Sequence, residues 1–189
     1  MRGYPIGSFL FREAREESVS KYQFYEFITG FTEMDNTHNP KANVPGEKEI
    51  TCILDKQQRL SALCIGLRVT YVKRIPRKRR NNPDNFVGRK LFINLLGKAK
   101  DSEETGLVFD FKFLTDDKSK KEVENKSWFE IGRILGFSKQ YELNNYLIEK
   151  GFSRLDQEKA KFANQTLFRL YDVVHREGVI IYYIRAKYY

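Results

Sequence analysis

The sequence has few of the residues that bind metals or form disulfide bridges, with two cysteines and two histidines among 189 residues. Cys52 and Cys64 stand in apolar surroundings without a CxxC spacing, which predicts two reduced, buried thiols in a cytoplasmic protein. His38 and His175 are far apart in the chain, so no metal site is expected. These shortages argue against both a zinc module and a disulfide-stabilised secreted domain.

Long apolar runs are also missing. No segment approaches the run of about 20 apolar residues that a membrane-spanning helix needs. The apolar stretch near the N-terminus is too short for a signal peptide, and the chain has neither an internal repeat nor a low-complexity segment. The sequence therefore predicts a cytoplasmic protein without a membrane partner.

The chain does have enough apolar residues for a core, together with an excess of positive charge. Hydrophobic residues make up 41% and aromatic residues 14%, which suffices for one domain of this length, or for one domain with an appendage. The net charge of +9 favours a polyanionic partner, usually nucleic acid, although many basic proteins bind none.

Runs of β-branched and aromatic residues mark the strands of the predicted fold. They predict strands over 7–11, 49–54, 91–97, 107–115 and 179–189. In the fourth of these, Phe109, Phe111 and Phe113 alternate with Val108, Asp110 and Lys112. The core is therefore expected to cover the phenylalanine face of the sheet and to leave the other face more exposed to solvent.

Apolar residues at intervals of three and four mark the helices. They predict helices over 18–31, from just after Asp55 to Tyr71, and over 127–137, 140–152 and 156–178. Ser127 and Asp156 are expected N-caps, and Gly151 and Gly178 are expected stops. The last helix has an expected buried side made of Phe162, Leu167, Leu170, Val173 and Val174.

This order of elements predicts an α+β fold with a mixed sheet and a helical C-terminal part. Residues 1–125 are expected to form an α/β core, with loops over 34–48 and 73–90. Residues 126–189 are expected to form a helical segment whose last strand returns to the sheet.

Five polar residues, Asp55 to Arg59, lie between the strand 49–54 and the next helix, in the sequence ILDKQQRLSAL. The first N–H groups of a helix lack internal partners and carry the positive end of its dipole, so this position favours a phosphate. Arg59 could bind two phosphate oxygens, and Gln57 and Gln58 could donate amide hydrogens or orient a water. Asp55 could cap the helix, accept a proton, or hold a magnesium ion that accompanies a nucleotide.

The same cluster also has a purely structural interpretation. Asp55 is a favoured N-cap, and the other four residues could form an exposed first turn. Against this, Lys56 and Arg59 oppose the positive end of the helix dipole by about 0.3 kcal/mol or more each. Positive side chains at this position are explained if an anion binds there.

Several segments resemble the DGQQR family, whose signature is a hydrophobic strand, Asp-Gly-Gln-Gln-Arg, and then Leu-Thr/Ser-x-Leu. The matching segment here is ILDKQQRLSALCIGL. Further similar segments are RGYPIGSFLF (2–11), KLFINLL (90–96), FDFKFLT (109–115) and WFEIGRIL (128–135). The family includes the GmrS half of the GmrSD type IV restriction enzymes and related anti-phage proteins. The resemblance covers most of the chain and implies a fold similar to ParB and sulfiredoxin.

The resemblance implies a nucleotide-binding, or nucleotide-hydrolysing, module of a bacterial or archaeal DNA restriction or anti-phage nuclease. Its catalytic positions here are Asp55, Gln57, Gln58 and Arg59, and Lys56 would join Gln57, Gln58 and Arg59 in binding a nucleoside triphosphate with Mg²⁺. Lys56 replaces the family's glycine, so its ammonium would pair with the phosphate where glycine allows close backbone approach.

The family also has segments that this sequence lacks. An upstream Pro-x-Phe-Gln-Arg, a downstream Phe-x-Arg-x-Asn and the frequent HNH-type nuclease region are all absent. The resemblance therefore implies a piece of a larger protein, with little hydrolase activity of its own and a nuclease domain or subunit elsewhere.

The predicted loop 73–90 holds a dense basic cluster, with six basic residues in eight positions. These are Lys73, Arg74, Arg77, Lys78, Arg79 and Arg80. They are expected to contact the DNA backbone, with an affinity that falls as salt rises. No aromatic residue is interleaved at 77–80, so base stacking is not predicted. The alternative is a solvated, mobile loop.

Three functions remain open from the sequence. The chain could be an enzyme module that binds and hydrolyses a nucleotide, a non-catalytic module that senses nucleotide or DNA, or a degenerate fragment without activity. Whether a full set of functional groups surrounds Asp55 to Arg59 separates the first two.

Overall fold

We describe the chain from a computed structural model, which covers residues 7–15, 21–27, 31–33, 40–44, 49–55, 57–100, 104, 106–121, 126–175 and 180–186. Within these residues the protein has an α+β fold, with two mixed sheets and a helical C-terminal part. This architecture confirms the fold class predicted from the sequence. No helix in the described ranges is long and apolar enough to cross a lipid bilayer.

Strands predominate among the described elements of the first two thirds of the chain, and helices predominate thereafter. The strands are β1 (Gly7–Arg15), β2 (Phe31–Thr32), β3 (Glu49–Asp55), β4 (Tyr71–Arg74), β5 (Phe86–Lys98), β6 (Phe109–Leu114), β7 (Trp128–Glu130) and β8 (Ile180–Ala186). The α-helices are α1 (Gln57–Leu67), α2 (Asp116–Lys120), α3 (Gln140–Glu149) and α4 (Gln157–His175). Shorter 3₁₀ segments span Pro83–Asn85, Ile131–Gly136 and Phe152–Arg154.

The two sheets differ in strand order. In the first, β1 lies between β3 and β8, antiparallel to β3 and parallel to β8. In the second, the order is β2–β4–β5–β6, and β7 also pairs with β5. β2 runs parallel to β4, whereas β5 is antiparallel to both β4 and β6. Because β8 pairs with β1, the end of the helical part lies beside the first strand of the chain.

The core lies between the second sheet and the C-terminal helices. α4 buries one stripe at helical spacing, made of Ala163, Thr166, Leu167, Leu170 and Tyr171. This stripe packs on β5, where Ile93 and Leu95 are fully buried. Of the side chains predicted to be buried on this helix, Leu167 and Leu170 are buried and the other three are partly exposed.

The helix ends predicted at Asp156 and Gly151 are confirmed. The Asp156 carboxylate accepts the Lys159 backbone N–H at 2.9 Å, which is the bond expected of an N-cap. Gly151 follows α3 with a φ of 76°, the left-handed conformation in which glycine is favoured. Gly178 lies outside the described residues.

The helix predicted over 18–31 is wrong in the described part of that segment. Residues 24–26 form backbone hydrogen bonds with 40–42 instead, through an isolated bridge. Tyr22 and Tyr25, expected on the helix face, are largely exposed. The backbone groups of this segment form hydrogen bonds with a distant part of the chain. That pairing outweighs the helix that the local spacing of apolar residues favours.

The helix predicted over 127–137 is also wrong, because this segment forms β7 and then the 3₁₀ segment Ile131–Gly136. Ser127 is not an N-cap. Its N–H donates to Oδ1 of Asn94 at 3.0 Å, and its carbonyl accepts the N–H of Leu95 at 2.8 Å. Asn94 is buried in β5 and its carboxamide oxygen needs donors, so strand pairing replaces the capping box here.

The phenylalanine face of β6 is covered at one end only. The ring of Phe109 lies 6.4 Å from that of Phe162 on α4 and packs against the core. Phe111 and Phe113 are 39% and 37% exposed. The predicted covered face is therefore confirmed at Phe109 and wrong at the other two positions, because α4 packs against Phe109 and leaves these two rings open to solvent.

Candidate functional site

The cluster predicted as a phosphate site lies at a turn from a strand to a helix. β3 ends at Asp55 and α1 begins at Gln57, as the sequence predicted, while Lys56 lies outside the described residues. The first turn of α1 contains no acidic residue, so no side-chain carboxylate there complements the positive end of the helix dipole. An anion from solution could take that place.

The side chains of this turn face solvent. Asp55, Gln57, Gln58 and Arg59 are all exposed. Asp55 and Arg59 each also interact with other residues of the chain. The amide of Gln57 donates to the carbonyl of Ile53 at 3.3 Å, which fixes this side chain back against β3.

A cleft of about 940 Å³ lies beside this turn. It lies along β3, an outer strand of the first sheet, and is bounded by the segments 23–27 and 42–44. Its lining residues are Gln23, Phe24, Tyr25, Glu26, Phe27, Ala42, Val44, Ile50, Thr51, Cys52, Ile53, Leu54 and Gln57. The cleft therefore combines aromatic rings with amide, hydroxyl and carboxylate groups.

Gln57 connects the turn to the cleft. It is the one residue of the cluster Asp55 to Arg59, among those described, that lines the cleft wall. Arg59 lies on the exposed surface and is not part of this wall. The aromatic wall at 23–27 could not be found from the sequence, because the periodicity of that segment predicts a helix.

The two cysteines are free and partly buried, and Cys52 lines the cleft. Burial raises the pKa of the Cys52 thiol, and the nearby Arg12 guanidinium opposes that shift. A raised pKa keeps the sulfur protonated at neutral pH, so Cys52 contributes an apolar wall and not a nucleophile. The described residues contain no group of three or more His, Cys, Asp or Glu that could hold a metal ion.

α1 is held to the rest of the protein mainly through its C-terminal end. None of its residues is fully buried, but Leu67 packs against the core. The Leu67 carbonyl lies so close to Gly132 that a Cβ atom there would be 2.6 Å from the oxygen. Gly132 thus permits a backbone-to-backbone contact that fixes the helix whose other end forms the candidate phosphate site.

The basic cluster divides between a strand and a loop, which corrects the predicted loop over 73–90. Lys73 and Arg74 belong to β4, and the loop proper spans 75–85 before β5 begins. The carboxylate of Glu33 contacts both strand residues. It lies 3.7 Å from Nζ of Lys73 and accepts the backbone N–H of Arg74 at 3.1 Å.

These contacts also account for the acidity of Glu33. The backbone N–H of Arg74 contributes most to lowering the pKa of this carboxyl, with further contributions from the Tyr71 hydroxyl and from Lys73. Glu33 is therefore ionised at neutral pH and anchors the start of the basic cluster to the strand.

The loop is internally bonded, which argues against the alternative of a mobile segment. The N–H of Ile75 donates to the carbonyl of Asn85 at 2.7 Å and closes its base. The Asn85 amide donates to the carbonyl of Arg79 at 2.8 Å, and Asn82 caps the 3₁₀ segment that follows. These bonds join the two ends of the loop and tie its middle to Asn85.

The loop presents its four basic side chains to solvent. Arg77, Lys78, Arg79 and Arg80 are all exposed. Arg77 has a φ of 66°, a left-handed conformation that costs a non-glycine residue about 1 kcal/mol or more. The loop thus keeps a charged residue at a position that glycine would occupy more easily.

Comparison with known proteins assigns no family: no protein-family model matches the chain, and no curated protein matches it.

Proposed function

We propose that the chain is a nucleotide-binding module of a DNA restriction or anti-phage nuclease, as its resemblance to the DGQQR family implies. The observation that carries the proposal is the position of Gln57, which is both the first residue of α1 and part of the wall of the cleft. A triphosphate at the helix start would have its base and sugar within reach of a cleft lined by aromatic and polar groups.

Each residue of the turn has a part in this proposal. Arg59 supplies the bidentate guanidinium for phosphate oxygens, and Gln57 and Gln58 supply amide donors. Asp55 supplies one carboxylate, which suits a magnesium ion that arrives with the nucleotide and keeps most of its ligands from phosphate and water. Lys56 adds a second positive charge at the place where the family has glycine.

Isothermal titration with MgATP and the other Mg-nucleoside triphosphates tests the site. We expect weak binding by the parent chain. Losing a charged hydrogen-bond partner typically removes about 1.5–3 kcal/mol, so Arg59→Ala should bind about ten- to a hundredfold more weakly. The matched control is Arg68→Ala, which removes an exposed arginine just beyond the other end of α1. Equal binding by both variants would refute the phosphate site.

A phosphate-release assay on the same proteins separates an enzyme from a sensing module. We expect slow or absent turnover by this chain alone, since the resemblance places further site segments outside it. Rapid turnover that Asp55→Asn abolishes would show that the chain is a complete hydrolase.

The basic loop is proposed to contact DNA through phosphates. The parent and a variant with Arg77, Lys78, Arg79 and Arg80 replaced by alanine should be titrated with duplex DNA across a range of salt concentrations. We expect weaker binding and a smaller salt slope for the variant, by about 0.9 for each phosphate that it no longer neutralises. A control with four exposed lysines removed elsewhere, Lys118, Lys120, Lys121 and Lys150, has the same net charge. If both lose affinity equally, net charge and not the loop drives binding.

A further inference from the structure

Aromatic side chains from three strands form a half-exposed row on the second sheet. Phe31 on β2, Tyr71 on β4 and Phe113 on β6 make up this aromatic row. The ring centroids of Phe31 and Tyr71 are 5.1 Å apart at an interplanar angle of 17°, and those of Tyr71 and Phe113 are 5.3 Å apart. Phe31 is 38% exposed and Phe113 is 37% exposed. Phe111, 39% exposed, extends the row along β6.

Positive charge lies on the same sheet face as the row. Arg89 pairs directly across β4 and β5 with Tyr71, so the two side chains share a face. Nε of Arg89 is buried without a hydrogen-bond partner, and this arginine forms none of the ion pairs found among the described residues. Lys73, two residues beyond Tyr71, also lies on this face, where it contacts Glu33.

The row also leads into the basic loop. β4 rises about 3.3 Å per residue, so the loop that begins at Ile75 starts about 13 Å from Tyr71. A chain of phosphates that follows the loop residues Arg77 to Arg80 would therefore reach the aromatic row after a short distance. Tyr71 of the row therefore lies on the strand that leads into the basic loop, although no aromatic residue lies at positions 77–80 of the loop itself.

We propose that the aromatic row is a binding surface for single-stranded DNA. Bases would stack on Phe31, Tyr71 and Phe113, and their phosphates would contact Arg89 and the basic loop. A duplex could use the loop but not the rings, because its bases are already paired and stacked. The proposal rests on the proposed DNA contact of the loop and adds to it a preference for unpaired strands.

An abasic oligonucleotide isolates the stacking contribution. We would measure binding by fluorescence anisotropy with a labelled dT oligonucleotide of about ten residues and an abasic strand of equal length and charge. Stacking of even one base predicts that the parent binds dT about tenfold more tightly than the abasic strand. The double variant Phe31→Leu, Phe113→Leu keeps the apolar volume but removes two rings. It should reduce that preference to what the remaining Tyr71 ring supplies, with an unchanged salt slope, because every cation that neutralises a phosphate is still present.

Two controls accompany these measurements. Tyr141→Leu removes a ring that is 57% exposed on α3 and should leave the preference intact. The four-alanine loop variant should weaken dT and abasic strands alike. Equal binding of dT and abasic strands by the parent would overturn the proposal while leaving the loop contact standing.

Three further results would each overturn the assignment. The first is tighter binding to an rU strand than to dT, which would make the ligand RNA. The second is self-association that the double variant abolishes, measured by light scattering, which would make the row an interface between copies. The third is an absence of binding to any strand, which would remove the loop contact as well. The titration with nucleoside triphosphates is independent of all three.

Discussion

The packing of α1 against the 3₁₀ segment Ile131–Gly136 can be tested by adding one methyl group at Gly132. The new Cβ atom would lie 2.6 Å from the carbonyl oxygen of Leu67, closer than real Cβ atoms approach another atom. The neighbour is backbone at the end of a helix and not a flexible side chain. The clash can therefore be relieved only if α1 or the 3₁₀ segment moves.

The free-energy cost of this clash can be estimated from overpacking substitutions in other proteins. Forcing extra volume into a tight contact typically costs about 1–3 kcal/mol. For a chain of this length each kcal/mol lowers Tm by about 2–4 °C, so Gly132→Ala should lower Tm by about 2–12 °C. Gly136→Ala is the matched control, because a Cβ atom there meets nothing within 4 Å in the same 3₁₀ segment. Its free energy of unfolding should change by less than about 1 kcal/mol.

Urea and thermal unfolding followed by circular dichroism would give both free energies, and hydrogen exchange of the α1 amides would locate the change. We expect Gly132→Ala to lower the protection of α1 more than that of α4. If Gly132→Ala unfolds at the same denaturant concentration as Gly136→Ala, the Leu67–Gly132 contact does not hold α1, and the reasoning fails.

Three further substitutions follow from single observations. Thr166 is fully buried and its hydroxyl has no hydrogen-bond partner in the described chain, so Thr166→Val should raise stability by about 1 kcal/mol, whereas Thr166→Ser should lower it, both measured by urea unfolding. The Lys159 N–H chiefly lowers the pKa of the Asp156 carboxyl below its unfolded value, so Asp156→Ala should lower Tm at pH 7. The Tm difference between the two proteins should shrink as the pH falls below the unfolded pKa of about 3.9 and then through the lower folded pKa. A Tm difference that persists at low pH would contradict a charge-dependent cap. Arg77→Gly should stabilise the loop by about 1 kcal/mol, because glycine adopts the left-handed conformation without strain, and an unchanged unfolding midpoint would refute this.

The elements that could be predicted from sequence are those whose local pattern and tertiary environment agree. β3, α1 and α4 have uninterrupted apolar periodicity, and the ends of α4 and α3 carry residues whose capping chemistry is local. Asp156 and Gly151 act within one turn of the helix they limit, so their roles can be read without knowledge of the fold.

The elements that could not be predicted depend on partners distant in the chain. The sequence Ser127-x-x-Glu130 has the pattern of a capping box, but the buried amide of Asn94, 33 residues earlier, supplies a competing partner. The segment around Tyr25 has helical spacing, yet its backbone bonds lie at residues 40–42. In both cases, hydrogen bonds to groups that would otherwise be unpaired outweigh helix propensity. That propensity differs by less than about 1 kcal/mol among ordinary residues.

The candidate site shows the same division. The turn from Asp55 to Arg59 is visible in the sequence because strand, polar cluster and helix are contiguous. The cleft wall at 23–27 is not visible because the spacing of that segment predicts a helix, and the aromatic row is not visible because its members come from separate strands. The absence of aromatic residues at 77–80 argues against stacking within that stretch, whereas the fold brings Phe31, Tyr71 and Phe113 together from three strands.

α1 links the first sheet, where the phosphate site is proposed, to the core of the second sheet. Its first residue follows β3 of the first sheet, and its last residue contacts Gly132 beside the core of the second. A helix is stiff over three turns, so a ligand that fixes its N-terminus also restrains the contact at Leu67. Since no residue of α1 is fully buried, that restraint acts on an element with few other anchors. Nucleotide binding should therefore raise the hydrogen-exchange protection of the whole helix, and Gly132→Ala should weaken nucleotide binding although Gly132 lies at the opposite end of α1 from the phosphate site.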